Sequence, residues 1–214
     1  MHQKDGKRVL VAIDEVTNHR DMRVFISAYQ IFIRQGLPVF LLMTGLYKNI
    51  DRVRNAESLT FLERAPRTEI LPLDKGRMTN SYEQVLNVDE PTAAGLACLT
   101  KGYAFAFQTL GHFVYDSPND LNGAIRACRK YLYEFSYEKI WSELSEKDQK
   151  FVTCIARVHS GEVKQIKEEA QCTPNEFNPY RARLLREGII RVPERGCVEF
   201  ALPWFGEFVI QKNS

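Results

Sequence analysis

No run of about 18 apolar residues occurs in this chain, so no segment is long enough to cross a bilayer as a helix. The opening stretch "MHQKDGKR" also lacks the apolar core of a signal peptide. Paired cysteines are missing as well. Cys98, Cys128, Cys154, Cys172 and Cys197 are odd in number, lie far apart and form no C-x-x-C, which speaks against a disulfide framework or a zinc site and suits a reducing cytosol. Charge of one sign is in short supply too. With 29 Lys plus Arg against 27 Asp plus Glu, the net charge of +2 predicts no strong non-specific attraction to nucleic acid or membrane, and any basic patch has to be local. Internal repeats and low-complexity linkers are absent.

The 214 residues suffice for one large domain or for two to three small ones. A hydrophobic fraction of 44% and a charged fraction of 26% are ordinary for a soluble globular protein with a real core. Residues 8–73 alternate strand, helix, strand, helix, strand. The first strand is Arg8 to Ile13. From about Asp21 to Gln35, Phe25, Ala28, Tyr29 and Phe32 share a helical face, with Asn18 as N-cap and Gly36 as stop signal. "LPVFLLMTG" is a second apolar strand ending at Met43 or Thr44. A polar helix ending near "SLTFLERA" and a short strand, "RTEILPL", follow. Continuous apolar strands alternating with helices imply a parallel sheet covered on both faces.

From Asp74 the pattern is helical only. "DKGRMTNSYEQVL", "DEPTAAGLACLTKG", "YAFAFQTLGHFVYD" and "PNDLNGAIRACRKYLYEFSYEKIW" are separated by Gly-, Pro- or Asn-rich breaks. Their aromatics (Tyr103, Phe105, Phe107, Phe113, Tyr115) are expected in a core rather than on a ligand platform. The last part opens with "SEKDQKFVTCIARV", whose Ser145 and Asp148 form a capping signal. "GEVKQIKEEAQ" and "TPNEFNPYRARLLREG" are two more helices, the latter opened by Thr-Pro and closed by Gly188. Two short strands around a Glu-Arg-Gly turn complete the order of a winged-helix module. Trp204, Phe205 and Phe208 are expected to pack back onto that module or onto the helices before it.

The chemistry starts at "VLVAIDEV". An aspartate at the end of a buried strand helps hold Mg²⁺ beside phosphates in P-loop ATPases, and a neighbouring glutamate polarises the attacking water. Asp14 and Glu15 match this Walker B pattern, although acids after a strand also suit the start of a helix. One helix later a second buried strand ends at Thr44. The carboxyl ends of parallel strands form the ligand crevice, so Thr44 would face the same site. Its hydroxyl would orient the water or touch the γ-phosphate, or else only cap the "GLYKNID" turn.

These stretches resemble AAA+ ATPases of the initiator and origin-recognition-like clade and their prokaryotic relatives, over nearly the whole chain. "VLVAIDEV" looks like Walker B and "VFLLMTGL" like the sensor 1 strand. "LTFLERAPRTEILPL" is similar to the segment bearing the arginine finger, where Arg64 or Arg67 would reach a neighbour's γ-phosphate. "LTKGYAFAFQTLG" looks like the lid helix of sensor 2. The resemblance implies a partial P-loop α/β core over residues 1–74, a helical lid over 75–141 and a winged helix over 142–214. It also implies ATP and Mg²⁺ as cofactors of an intact parent, with Asp14 holding the metal through a water, and duplex DNA, a protein or further copies as partners.

Two departures stand against it. No arginine follows Gly102 in "GYAFAF", where sensor 2 places one, and no G-x-x-x-x-G-K-[ST] occurs anywhere. The family's P-loop strand lies between the sensor 1 strand and the last strand, so its lack leaves a gap in the sheet. The expectation is the C-terminal part of a longer ATPase rather than a degenerate relative, unable to bind or hydrolyse ATP alone and prone to self-association. The rival is a non-catalytic regulator or adaptor that binds protein or DNA through its lid and winged helix.

In a winged helix the third helix enters the major groove. Here it offers Asn175, Asn178, Tyr180, Arg181, Arg183 and Arg186, and the hairpin adds Arg191 and Arg195. Yet from Ser142 onward eleven Lys plus Arg stand against eleven Asp plus Glu, so the module is neutral and a protein interface competes with DNA. Pro179 places the expected start of this helix near Asn178.

Overall fold

A computed structural model describes residues 7–213. They fall into two compact units, one up to Glu69 and one from Ile70 on.

In the first unit β1 (Val9–Ile13) and β2 (Val39–Met43) pair in parallel, with Val9 beside Val39 and Ile13 beside Met43. Parallel neighbours need a crossover, and α1 (Arg20–Arg34) supplies it. α2 (Tyr47–Arg54) and a 3-10 helix (Glu57–Arg64) follow. Ile26 of α1, Val53 of α2 and Leu59 and Leu62 of the 3-10 helix are buried with Val16, and Ile13, Leu41 and Met43 pack on them. His19, not Asn18, is the N-cap of α1, and its side chain makes no capping bond. Gly36 ends that helix with a φ of +63°, a left-handed backbone that glycine tolerates.

The third strand expected in "RTEILPL" does not form: residues 66–74 carry no secondary structure. A strand persists only where a neighbour completes its ladder. Among the described residues the β1–β2 sheet has no third member. Ile70 and Leu71 are left 91% and 72% exposed.

The second unit begins with α3 (Lys75–Leu86), α4 (Glu90–Leu99), α5 (Ala104–Asp116) and α6 (Leu121–Leu132). Asp74, Asp89 and Asp120 cap α3, α4 and α6 through their carboxylates. A π-helical turn, Tyr133–Tyr137, runs α6 into α7 (Glu138–Glu143). Then come α8 (Glu146–Arg157), α9 (Val163–Glu169), α10 (Pro174–Arg186), the antiparallel pair β3 (Ile190–Arg191) and β4 (Glu199–Phe200), and α11 (Phe205–Lys212). Between α8 and α9 a single bridge joins Glu162 to Cys197 of the β3–β4 connection. Gly161 makes that approach possible, because a Cβ there would lie 2.4 Å from the Val198 carbonyl oxygen.

α10 starts earlier than Pro179 suggested. Thr173 and Glu176 close a complete capping box, and Pro174 takes the first helical position, where a missing N–H costs nothing. Pro179 sits inside the helix and forfeits one backbone bond.

One continuous core runs from Met78 of α3 to Val209 of α11. Tyr137 lies edge-on to Phe205 at 5.1 Å and donates its hydroxyl to the Pro203 carbonyl at 2.6 Å. Burial raises that phenol far above its ordinary range, so it stays a donor. Burial likewise pushes the Cys128 thiol up to about 12, leaving it an inert core side chain. Polar ties run along the same seam: Arg129 to Glu207 at 2.7 Å, Lys212 to Glu138 at 2.7 Å, and Lys101 Nζ to the Phe200 carbonyl at 2.9 Å. Tyr103, Phe105, Phe107 and Phe113 pack against this core, whereas Tyr115 is exposed.

Candidate functional site

Asp14 follows the last residue of β1 and Thr44 the last residue of β2, so the parallel register brings them side by side at the carboxyl ends of the strands. The Thr44 hydroxyl donates to Asp14 Oδ1. The same oxygen accepts the Glu15 amide at 2.9 Å. Backbone bonds lace the two turns together, Thr44 N–H to the Ile13 carbonyl and Val16 N–H to the Thr44 carbonyl, each at 2.9 Å. Gly45 completes the joint, since a Cβ there would sit 3.2 Å from the Val16 backbone.

Glu15 adopts a φ of +52°, a left-handed conformation uncommon for a side chain of its size. Such backbones cluster where a side chain is aimed for a purpose. Asp14 and Glu15 are both exposed. Asp14 therefore has one carboxylate oxygen committed to the protein, and among the described residues nothing binds the second, which faces solvent for an outside cation or water.

The Thr44 hydroxyl first, then the Glu15 amide, hold the Asp14 carboxyl below the ordinary aspartate range. A depressed carboxyl favours the folded state above the unfolded value of about 3.9, and that contribution disappears as pH falls through the folded value. Thr44→Val is expected to move the Asp14 titration up toward that of a free aspartate, read by carbon NMR of the carboxyl. An unmoved titration would show that the hydroxyl does not hold it.

Arg64 ends the 3-10 helix and Arg67 lies beyond it, both exposed. No hydrogen bond or ion pair joins Arg64 to Asp14 or Glu15 among the described residues. A polar cleft of about 570 Å³ in the same unit is lined by Asn18, Arg23, Asp51, Arg52, Asn55 and Glu57, among others. Neither Asp14 nor Thr44 borders it, and its two arginines are balanced by two acids. No group of three or more His, Cys, Asp or Glu side chains placed to hold a metal occurs among the described residues.

The residues expected to face DNA separate into two sets. Arg183 is turned inward: its Nε and Nη2 donate to Asp148 Oδ1 at 3.0 and 2.6 Å, and Asp148 is only 4% exposed. The Arg183 guanidinium also lies 5.0 Å from the centre of the Tyr180 ring, which stacks on Phe151 at 4.4 Å. Arg181 is half-buried, with its Nε shielded from solvent. Asn178, Arg186 and Arg195 are exposed, while Arg191 is held by Glu199 at 2.6 Å. Sequence reasoning took Asp148 as a cap alone and missed its pairing with Arg183.

Residues 135–209 match a family described as a domain of unknown function (DUF8462). No curated protein gives a significant match. Among solved structures, a Walker-type ATPase of Pyrococcus abyssi superposes with a TM-score of 0.72 at 15% identity, over 95% of this chain and 63% of that one. The fold is thus similar to that of a P-loop ATPase, and the chain spans less than two thirds of that structure's length.

Proposed function

We propose that this chain is the C-terminal portion of an AAA+-type ATPase assembly that couples ATP binding or hydrolysis to remodelling of DNA or protein. The observation that carries this reading is the pairing of Asp14 with Thr44 at the carboxyl ends of two parallel strands, in a fold similar to that of a Walker-type ATPase. Asp14 fits a Mg²⁺ held through water, because it is ionised and exposed and, among the described residues, has one oxygen without a partner. Glu15 is beside it for water activation, and Arg64 or Arg67, both exposed, would reach a neighbour's phosphate.

The phosphates themselves do not fit. The sequence has no glycine-rich loop with its lysine, and the backbone cradle of such sites is therefore not supplied by these residues. No step of ATP chemistry follows from this chain alone. Calorimetry with ATP and Mg²⁺ is expected to show no binding, and a clear micromolar affinity would overturn that expectation.

The order α8, bridge, α9, α10 and the β3–β4 hairpin supports a winged helix at the C-terminus, with α10 as its third helix. Five free cysteines support a cytosolic setting, and no helix among the described residues is long and apolar enough to cross a membrane. One observation favours a protein partner over DNA. The exposed positions of α10 at Asn175, Asn178, Ala182 and Arg186 carry a single cation, since Arg183 is spent on Asp148.

Fluorescence anisotropy with labelled duplex DNA at two salt concentrations separates the two. Binding that weakens steeply with salt and is lost in Arg186→Ala with Arg195→Ala marks a DNA reader. No binding at low salt leaves the adaptor reading, with the module as a protein interface.

A further inference from the structure

What the sides of α8 touch fixes where its cysteine points. Phe151 stacks on Tyr180 of α10 at 4.4 Å and lies edge-on to Phe177 at 5.7 Å. Arg157 reaches Glu169 of α9 at 3.4 Å. Residues three apart on a helix are surface neighbours, so Cys154, midway between Phe151 and Arg157, faces the turn that joins α9 to α10. Cys172 is in that turn, between Glu169 and Pro174. Gln171 bends the chain there with a φ of +51°, and the Cys172 N–H donates to the Lys167 carbonyl at 3.1 Å, which holds the backbone of the second thiol in place. Cys154 is 5% exposed and Cys172 half-buried, and both pack into the same core. Burial first and the Glu169 carboxylate second push the Cys154 thiol up, and a charge on Cys172 adds to them, as it does only for a near neighbour.

We propose that Cys154 and Cys172 form a reversible oxidation site, closing to a disulfide when the chain meets a hydroperoxide. A reducing compartment disfavours structural disulfides but admits transient, redox-sensing ones. The half-buried Cys172 meets the oxidant first. Its thiolate attacks a peroxide oxygen, breaks the O–O bond and becomes a sulfenic acid, releasing hydroxide that is protonated to water. The Cys154 sulfur then attacks the Cys172 sulfur, and the sulfenic hydroxyl leaves as water with the Cys154 proton. The two thiols give up two electrons, and one hydrogen peroxide becomes two waters. Burial first, then Glu176 of α10, raise the Cys172 thiol, against the pull of Lys150 of α8 and Lys167 of α9. Its thiolate fraction is therefore small at neutral pH and grows as pH rises, and the oxidation quickens with it. Such a site answers sustained rather than brief oxidant. The bond joins α8 to the turn ahead of α10 and pins the start of that helix. No residue of the nucleotide reading takes part.

Excess hydrogen peroxide on the full native chain at about pH 8.5, the value for a free thiol, tests it by mass spectrometry. The intact mass is expected to fall by about 2 Da for the two hydrogens lost. Trypsin is expected to release peptide 151–157 linked to peptide 168–181, and dithiothreitol to separate them. In Cys172→Ser, peptide 151–157 is expected to stay reduced, because no other thiol faces Cys154. In Cys154→Ser, Cys172 is expected to stop at the sulfenic acid, which dimedone captures. If the buried serine unfolds the chain, Cys154→Ala takes its place. A Cys172 that reaches sulfinic acid in the parent with no link, a link to Cys98, Cys128 or Cys197 instead, or a link found only between two copies would each overturn the proposal.

Discussion

Phe205→Ala is expected to lower the free energy of unfolding by about 3–5 kcal/mol, the range for deleting a buried aromatic from a close-packed core. Phe205 is fully buried, and its ring meets Tyr137 at 5.1 Å, Phe200 at 5.5 Å and Phe208 at 5.8 Å. These contacts come from the π-helical turn, the hairpin and α11, three segments that the ring holds together. Urea unfolding followed by circular dichroism measures the loss. A change below about 1 kcal/mol would mean that α11 rests on the surface instead of closing the core. The same packing bears on the stretch 135–209 that the DUF8462 family covers. Its buried aromatics share one core with α3 to α6, so excised by itself it would expose the surfaces that those helices cover.

Arg183→Ala is the second large effect. Removing one partner of a buried ion pair leaves the other uncompensated, at about 3–5 kcal/mol for a fully buried pair. Asp148 is buried, but the Arg183 side chain is 37% exposed, and solvent screening reduces the expected loss to about 2 kcal/mol. Asp148 is further held by the Ser145 hydroxyl at 2.5 Å, so the substitution disturbs the α8 cap as well as the packing of α10 on Tyr180. Chemical unfolding checks the stability. A variant as stable as the parent that nonetheless lost DNA affinity would return Arg183 to the outer surface of the module.

Much of the architecture was legible because its signals are local. Five-residue apolar runs marked β1 and β2, and Asp or Ser followed by a helical pattern marked the starts of α3, α4 and α8. That Asp14 and Thr44 lie together was legible from the strand ends, since a parallel crossover puts such ends side by side. Three features escaped for one reason: their causes lie far away in sequence. The "RTEILPL" segment has strand composition but, among the described residues, no neighbour to pair with. Arg183 looked like a solvent-facing cation because its partner is 35 residues earlier. The ending "ALPWFGEFVIQ" was correctly expected to pack back, yet its helix, α11, was not foreseen. Trp204 begins that helix from a left-handed backbone with no capping side chain to announce it.

The wide turn at Tyr133–Tyr137 has a meaning for how such chains diverge. A π-helical turn accommodates one residue more than an α-helical turn does, which shifts the phase of everything after it by about 100°. Tyr133 and Tyr137, at the two ends of this turn, both pack against Phe208. A relative lacking one residue at this point would keep an unbroken helix and lose no loop, yet it would turn Ile140 and Trp141 away from the core they now pack against. A one-residue gap in an alignment would thus record a rotation of the whole C-terminal seam.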